Sequence, residues 1–326
     1  MNDVFIISTS HQLLQLDYAM RWFNLNNDNV QIIMMCQRSE AKELLKNIEE
    51  LGFKNIESFE YWKFKDVIRG AANEFNSFLK KIEGCKRLYL SQYFADYSLI
   101  AASVLKPSTL YVMDEGTASF LVVSSRNKKK ILDWKLLVKS ILYKKCLKFP
   151  KSISYFTQYD LGNISISDSI VKYSLLKRDN VITFDDNSIL ILGSSVVEVE
   201  VVVFPTYMSI IKKIKDSHSD KKILYYAHRK EDETKLLLIK NMGISIVNSD
   251  QPFESHFGEL VETSSIYYSF YSPIFDNISK LYNNIPELRM IKFQESDVLR
   301  NKKVVMDIYY NYSKNDSVKL INIDKL

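Results

Sequence analysis

The chain has 326 residues, 46% of them apolar and 25% charged, with a formal charge of +5. This length buries ample core and exceeds the usual single-domain size, so two domains are expected. The scattered Cys36, Cys85 and Cys146 have no metal spacing and do not pair evenly, which excludes a disulfide framework and points to a reducing cytoplasm.

The first residues lack the basic region and apolar run of a signal peptide, and no apolar stretch approaches the roughly 20 residues that span a bilayer. Residues 4–7 predict a short buried strand, and 11–23 a helix carrying Leu13, Leu14, Leu16, Tyr18 and Met20. A strand at 30–35, a helix at 39–51, a weaker strand at 55–59 and a helix at 67–82 follow. The strand 87–90, a helix near 95–104 and the strand 110–113 complete the alternation. Strands alternating with helices imply a parallel sheet covered on both faces. The pattern then restarts. Asp185-Asp186-Asn187-Ser188 reads as a polar linker turn, and 189–192 ending in Gly193-Ser194-Ser195 as the first strand of a second unit. A helix at 207–214, a strand at 223–226, a helix at 232–241 and a strand at 244–247 come next. The expected domains are therefore 1–185 and 186–326. The expected fold class is α/β, with two Rossmann-like parallel-sheet domains facing a cleft, an architecture called GT-B among glycosyltransferases.

Two sites fall where an apolar strand runs out, the position at which open α/β sheets collect their ligands. One is Asp114-Glu115-Gly116 after Leu110-Tyr111-Val112-Met113, and the other is His228-Arg229 after Ile223-Leu224-Tyr225-Tyr226-Ala227. A carboxylate is a reasonable general base for a weak hydroxyl nucleophile, and a histidine can donate to a departing phosphate. Gly116 lets the backbone turn sharply after the strand. Each site also has a plain reading. Asp-Glu-Gly commonly forms a polar turn, and His228 beside Arg229 and Lys230 fits a solvated helix start. Ser264-Ser265 fits a cap on a helix over 266–270. His11 and Gln12 follow the first strand, where Ser10 suits a helix cap. His218 and His256 are assigned no role.

With these residues in place, the chain resembles the bacterial sialyltransferases of the lipooligosaccharide sialyltransferase and polysialyltransferase group. The shared features are Asp114-Glu115-Gly116, His228, Glu254 within Pro252-Phe253-Glu254, and the serine pair Ser264-Ser265, in that order over most of the chain. Arg229 departs from the family pattern, which has proline there. The resemblance implies an inverting, metal-independent transferase. It would move sialic acid or a related nonulosonate from a CMP donor to a terminal sugar of a bacterial surface glycan such as lipooligosaccharide or capsule. No cofactor beyond the CMP-sugar co-substrate is implied. Glu115 would be the general base, with Asp114 as the alternative, and His228 would stabilise the leaving phosphate. Glu254, Ser264, Ser265, Arg229 and Gly193 would bind the donor. Related enzymes include dimers, so a homodimer is among the states implied.

Two other readings stand beside this one: a transferase of the same fold using another nucleotide sugar, and a non-catalytic glycan- or membrane-binding homologue. The segment 126–151 carries ten lysines and arginines against Asp133 alone, with Trp134, Leu137, Val138, Ile141 and Leu142 at helical spacing. It reads either as a helix lying on an anionic membrane, near a glycolipid acceptor, or as a core-packed helix with a lysine rim. The first reading adds a peripheral place at the inner membrane to the cytoplasmic expectation. Nucleic acid is excluded by the small net charge and the absence of a base-stacking motif.

Overall fold

The computed structural model describes residues 2–61, 71–114, 118–127, 134–143, 147, 148, 150–174, 177, 179–228, 230–248, 253–270 and 272–322. Contacts divide the chain into two units, Met1–Tyr173 and Ser174–Leu326.

The first unit holds a parallel sheet of seven strands in the order β3-β2-β1-β4-β5-β6-β7. They are β1 (Asn2–Ile7), β2 (Val30–Cys36), β3 (Ile56–Glu60), β4 (Cys85–Leu90), β5 (Thr109–Met113), β6 (Ser154–Thr157) and β7 (Ser169–Lys172). The helices α1 (Ser10–Trp22), α2 (Arg38–Glu50), α3 (Ala71–Leu79) and α4 (Asp96–Leu105) make the crossovers between β1 and β5, and α5 (Ala118–Asn127) and α6 (Trp134–Leu142) follow β5. The inner strands are buried on both faces, which is why β1 and β2 read as unbroken apolar runs rather than alternating ones. In-register pairing of parallel strands stacks like on like. Phe5 lies opposite Tyr89 and Tyr89 opposite Tyr111. Their rings form a row with centroids 4.0 and 5.0 Å apart. Asp3 and Arg87 close the amino end of β1 and β4 with a two-point ion pair of 2.6 and 2.9 Å.

The second unit repeats the plan with six parallel strands in the order β10-β9-β8-β11-β12-β13. These are β8 (Thr183–Leu192), β9 (Lys222–Tyr226), β10 (Ser245–Val247), β11 (Glu262–Ser269), β12 (Glu287–Lys292) and β13 (Val318–Asn322). Its helices are α7 (Phe204–Ser217), α8 (Glu233–Asn241), α9 (Phe253–Phe257), α10 (Ile274–Leu281) and α11 (Lys302–Tyr312). Pro205 sits in the first turn of α7, where its missing N–H costs nothing. The Asp232 side chain accepts from the Thr234 N–H at 2.8 Å and caps α8.

Four expectations are corrected. Asp185 to Ser188 do not form a linker turn; they belong to β8, and the expected boundary at 185 falls inside that strand. The β8–β11 ladder starts at Thr183 opposite Glu262 and slips between Ser264 and Ile266, and this irregularity houses the polar residues. Residues 266–270 do not form a helix: Ile266 to Ser269 complete β11, with Tyr267 to Phe270 buried. Ser10 is the first residue of α1 rather than its cap, and the buried Gln12 side chain accepts the Ser8 N–H at 2.6 Å instead. Arg126 is not on a solvated rim. Its side chain is only 9% exposed and is paired with Asp168. Elsewhere in the basic segment, Lys139 pairs with Asp96, while Val138 and Ile141 of α6 are exposed. The helix expected over 67–82 is described only from Ala71 onward, and Cys146 lies outside the described residues. Cys36 and Cys85 are buried, and burial, helped by Asp3, pushes the Cys85 thiol up to about 12. Among the described residues no helix is long and apolar enough to cross a membrane.

Candidate functional site

Both strand orders reverse once, between β1 and β4 in the first unit and between β8 and β11 in the second. The crevice beyond the carboxyl ends of the strands at such a reversal is where open α/β sheets bind ligands.

In the first unit, Asp114 directly follows β5 and is 1% exposed. Its Oδ1 accepts from the Ser119 hydroxyl at 3.1 Å. Its Oδ2 accepts from the Gln158 N–H at 2.8 Å and the Tyr173 hydroxyl at 3.4 Å. The Gln15 amide donates to the Asp114 carbonyl. The carboxylate thus ties α5 and the ends of β5, β6 and β7 together while the main-chain carbonyl holds α1, and the carboxylate's lone pairs are largely committed to doing so. Of the two acidic residues singled out, Asp114 has the geometry of a positioning group. Glu115 and Gly116 lie outside the described residues, as does the side chain of His11.

Beside Asp114 a cavity of about 280 Å³ is lined by Ser91, Gln92, Val112, Met113 and Ser119. Ser91 is 3% exposed, and its hydroxyl has no hydrogen-bond partner among the described residues. At the reversal itself, the Tyr97 hydroxyl donates to Gln92 Oε1 at 2.7 Å and meets the Ser8 hydroxyl at 3.2 Å, and the Gln92 amide donates to Tyr61 at 3.3 Å. Nothing in the local pattern of Ser91-Gln92 marks it. Only its place at the end of β4, beside β1, does so.

In the second unit, the turn after β9 is built around Glu231. Its Oε2 accepts the His228 N–H at 2.7 Å, and its own N–H donates back to the His228 carbonyl at 2.9 Å. The Lys230 N–H donates to His228 Nδ1 at 3.2 Å. With Nδ1 accepting, the neutral ring carries its proton on Nε2, a donor on a half-buried imidazole. Beneath this turn lies a polar network. Lys235 is 1% exposed and reaches Glu231 at 2.9 Å, Glu198 at 2.8 Å and the Ser194 carbonyl at 3.2 Å, with its ammonium 4.5 Å from the centre of the Tyr207 ring. The Tyr225 hydroxyl donates to Glu231 Oε1 at 2.5 Å and meets the Tyr207 hydroxyl at 2.6 Å. Burial pushes the Glu231 carboxyl upward and the Lys235 ammonium pulls it back, while burial raises both tyrosines well above their ordinary range.

Gly193 belongs to the same assembly. A Cβ there would stand 2.3 Å from Glu231 Oε2 and 2.9 Å from the Tyr225 ring, so only glycine lets the chain after β8 pass the network. Its N–H donates to the Tyr226 carbonyl at 2.8 Å. The fold therefore brings Gly193 and His228 together at one sheet edge.

The serine pair is elsewhere. Ser264 and Ser265 lie near the amino end of β11, with Ser264 opposite Asp185 and bonded to the buried Ser188 hydroxyl at 2.7 Å. Tyr268 shares its level with Ile191, and Ile191 with Tyr225, so the level of His228 corresponds to residues beyond Ser269. The five residues from Ser264 to Ser269, roughly 16 Å of strand, already fall short of that level. The serines that stand at the carboxyl edge are Ser269, whose hydroxyl donates to the Leu192 carbonyl at 3.4 Å, and Ser272, which accepts the Ile274 N–H at 3.3 Å as α10 begins. The aromatic run before them and Pro273 after them are the sequence signals that could have marked this strand-to-helix turn. Arg229 and the side chain of Glu254, within α9, lie outside the described residues. Among the described residues no group of three or more His, Cys, Asp or Glu side chains is gathered to hold a metal ion. His218 bonds the Tyr268 hydroxyl at 2.9 Å and has its pKa lowered, chiefly by burial and then by Arg289, which suits a structural role.

No protein-family model matches the chain, and no curated protein is similar to it in sequence. Solved structures are similar in fold. The UDP-GlcNAc 2-epimerase of Methanocaldococcus jannaschii aligns over 100% of this chain and 90% of its own, with a TM-score of 0.52 and 13% identity. MurG of Acinetobacter baumannii aligns over 100% of this chain and 87% of its own, with a TM-score of 0.45 and 9% identity. The fold is thus the GT-B type, two parallel-sheet α/β units of seven and six strands.

Proposed function

We propose that the chain is a glycosyltransferase that takes its sugar from a nucleotide donor. The observation that carries this reading is His228. It sits at the carboxyl end of β9 beside the strand-order reversal, with Glu231 and Lys230 holding its backbone and Nδ1. An imidazole held in that way offers Nε2–H to a phosphate oxygen and stabilises the charge that grows there as the glycosidic bond breaks. The chain after Gly193 and the start of α10 at Ser272 flank the same edge, and that helix start supplies backbone N–H groups, which favour anions. In the first unit, Glu115 is the base. It takes the proton from an acceptor hydroxyl as that oxygen bonds to the anomeric carbon, and the electron pair of the broken bond leaves with the nucleotide phosphate. Attack opposite the leaving group inverts the anomeric centre.

The donor has two candidates. The ordered set Asp114-Glu115-Gly116 and His228 supports a CMP-nonulosonate. The place of Ser264 and Ser265, far from His228 along β11, favours another nucleotide sugar. Calorimetric titration with CMP, UDP and GDP, each with and without EDTA, separates them. Binding of CMP alone supports the first, and preference for a diphosphate nucleotide supports the second. His228→Ala is expected to lower transfer by about 10²–10³-fold with an unchanged melting temperature. Binding of none of the three nucleotides, or full activity in His228→Ala, would remove the proposal.

A further inference from the structure

A cavity in the first unit lies at the sheet edge opposite Asp114. It has a volume of about 630 Å³ and sits at the amino ends of β5, β6 and β7, beside the carboxyl end of α4. Three cations line it, Lys106, Lys148 and Lys151, and no acidic residue does. All three are exposed, and none has an ion-pair partner among the described residues. Between the lysines the wall is largely hydroxyl-bearing, including Ser108, Ser152 and Ser167. We propose that this cavity is a binding site for a phosphate-bearing anion, distinct from the nucleotide edge of the second unit.

Three like charges around one hollow repel one another unless an anion sits among them, so their convergence without a carboxylate leaves a positive potential for a ligand to satisfy. Lysine binds phosphate as a point charge, and serine hydroxyls donate to its remaining oxygens. The volume matches a small-molecule site and exceeds what one phosphate group fills.

The wall is also built in advance. The Arg126 guanidinium pairs with Asp168 through two contacts of 2.6 Å and donates to the Pro150 and Lys151 carbonyls at 3.1 Å each. Asp168 in turn accepts the Ile153 N–H at 3.1 Å. The Asp168 carboxylate is therefore neutralised by an arginine while it fixes the segment that carries Lys151. On the facing side, Lys106 ends α4 with a φ of +45°, a left-handed conformation that glycine or asparagine adopts more cheaply. A lysine retained there keeps a cation at the rim.

Pyrophosphate is the soluble probe, and vesicles of 30% phosphatidylglycerol are the lipid probe. Thermal stabilisation and calorimetry read the first, and co-sedimentation reads the second. Pyrophosphate bound to the full chain is expected to weaken at least tenfold in Lys106→Gln/Lys151→Gln and on raising NaCl from 0.1 to 0.5 M, where the Debye length shrinks from about 10 Å to about 4 Å. The variant's own melting temperature should stay unchanged, since both side chains are exposed. His228→Ala must leave this binding intact, which separates the site from the nucleotide edge whatever becomes of the transferase reading. Vesicle binding lost in the double lysine variant, with no pyrophosphate binding, would support the site with a lipid phosphate as its occupant. Binding of either probe that ignores the lysine substitutions, or no binding of either, overturns the proposal.

Discussion

Lys235→Met is the sharpest test of the network under His228. The ammonium is 1% exposed and pairs with Glu231 at 2.9 Å and Glu198 at 2.8 Å. Methionine keeps most of the length and apolar stem, so the change mainly removes the charge. Breaking a buried pair by removing one partner costs about 3–5 kcal/mol, because the other charge is left without compensation. In a unit the size of Ser174–Leu326 that corresponds to a fall of roughly 6–20 °C in the melting temperature. The loss should depend on pH. The Glu231 carboxyl is already raised above its ordinary 4.5 by burial, and losing Lys235 raises it further. A group whose folded pKa is raised contributes stability that is fully present below the unfolded value and is lost as pH rises through the folded one. Lys235→Met should therefore be less destabilised toward acid pH, where a raised Glu231 takes up its proton, than at alkaline pH. Adding Glu231→Gln should recover most of the loss, since a neutral amide needs no counter-ion and its carbonyl can still accept the His228 N–H. Calorimetry of the single and double variants at an acid and an alkaline pH reads the effect. An equal drop at the two pH values, or no recovery in the double variant, would refute the reasoning.

Asp114→Asn should lower stability by about 1–3 kcal/mol, because a buried acceptor of three hydrogen bonds loses its charge. If Asp114 only positions the site, the folded variant keeps most of its transfer activity while Glu115→Gln loses it, and urea titration alongside a transfer assay checks both. Gly193→Ala forces a Cβ to within 2.3 Å of Glu231 Oε2, so a cost of about 1–3 kcal/mol is expected together with weaker nucleotide binding. Ser264→Ala breaks the 2.7 Å bond to Ser188 and should cost about 1 kcal/mol while leaving nucleotide affinity unchanged. A tenfold loss of affinity in that variant would return the serine pair to the donor site.

The alternation of apolar runs and amphipathic stretches was enough to read two parallel-sheet units, because strands covered on both faces must be apolar throughout. It also placed Asp114 and His228, since each follows within two residues a strand whose end is plain in the sequence. The pattern misled where polar residues sit inside a strand. Asp185 to Ser188 look like a turn, yet the slip in the β8–β11 ladder and the Ser188–Ser264 bond let them stay in the sheet. Ile266 to Phe270 can be read as a helix because a short apolar run has no period of its own. That misreading put Ser264 and Ser265 at a helix start, where a phosphate would sit. β6 and β7 were not anticipated, being short strands of four residues each.

The sequence by itself determined the fold class and the strand ends that Asp114 and His228 follow, because burial demands and the period of the backbone act locally along the chain. Only the tertiary structure decided which polar groups are tied up in holding the protein together. Asp114 turns out to be held by Ser119, Gln158 and Tyr173, and Glu231 and Lys235, unremarkable in a charged helix start, prove to be buried and to hold His228. A side chain's role follows from its partners, and partners from distant strands meet only when the sheet has set their order and register.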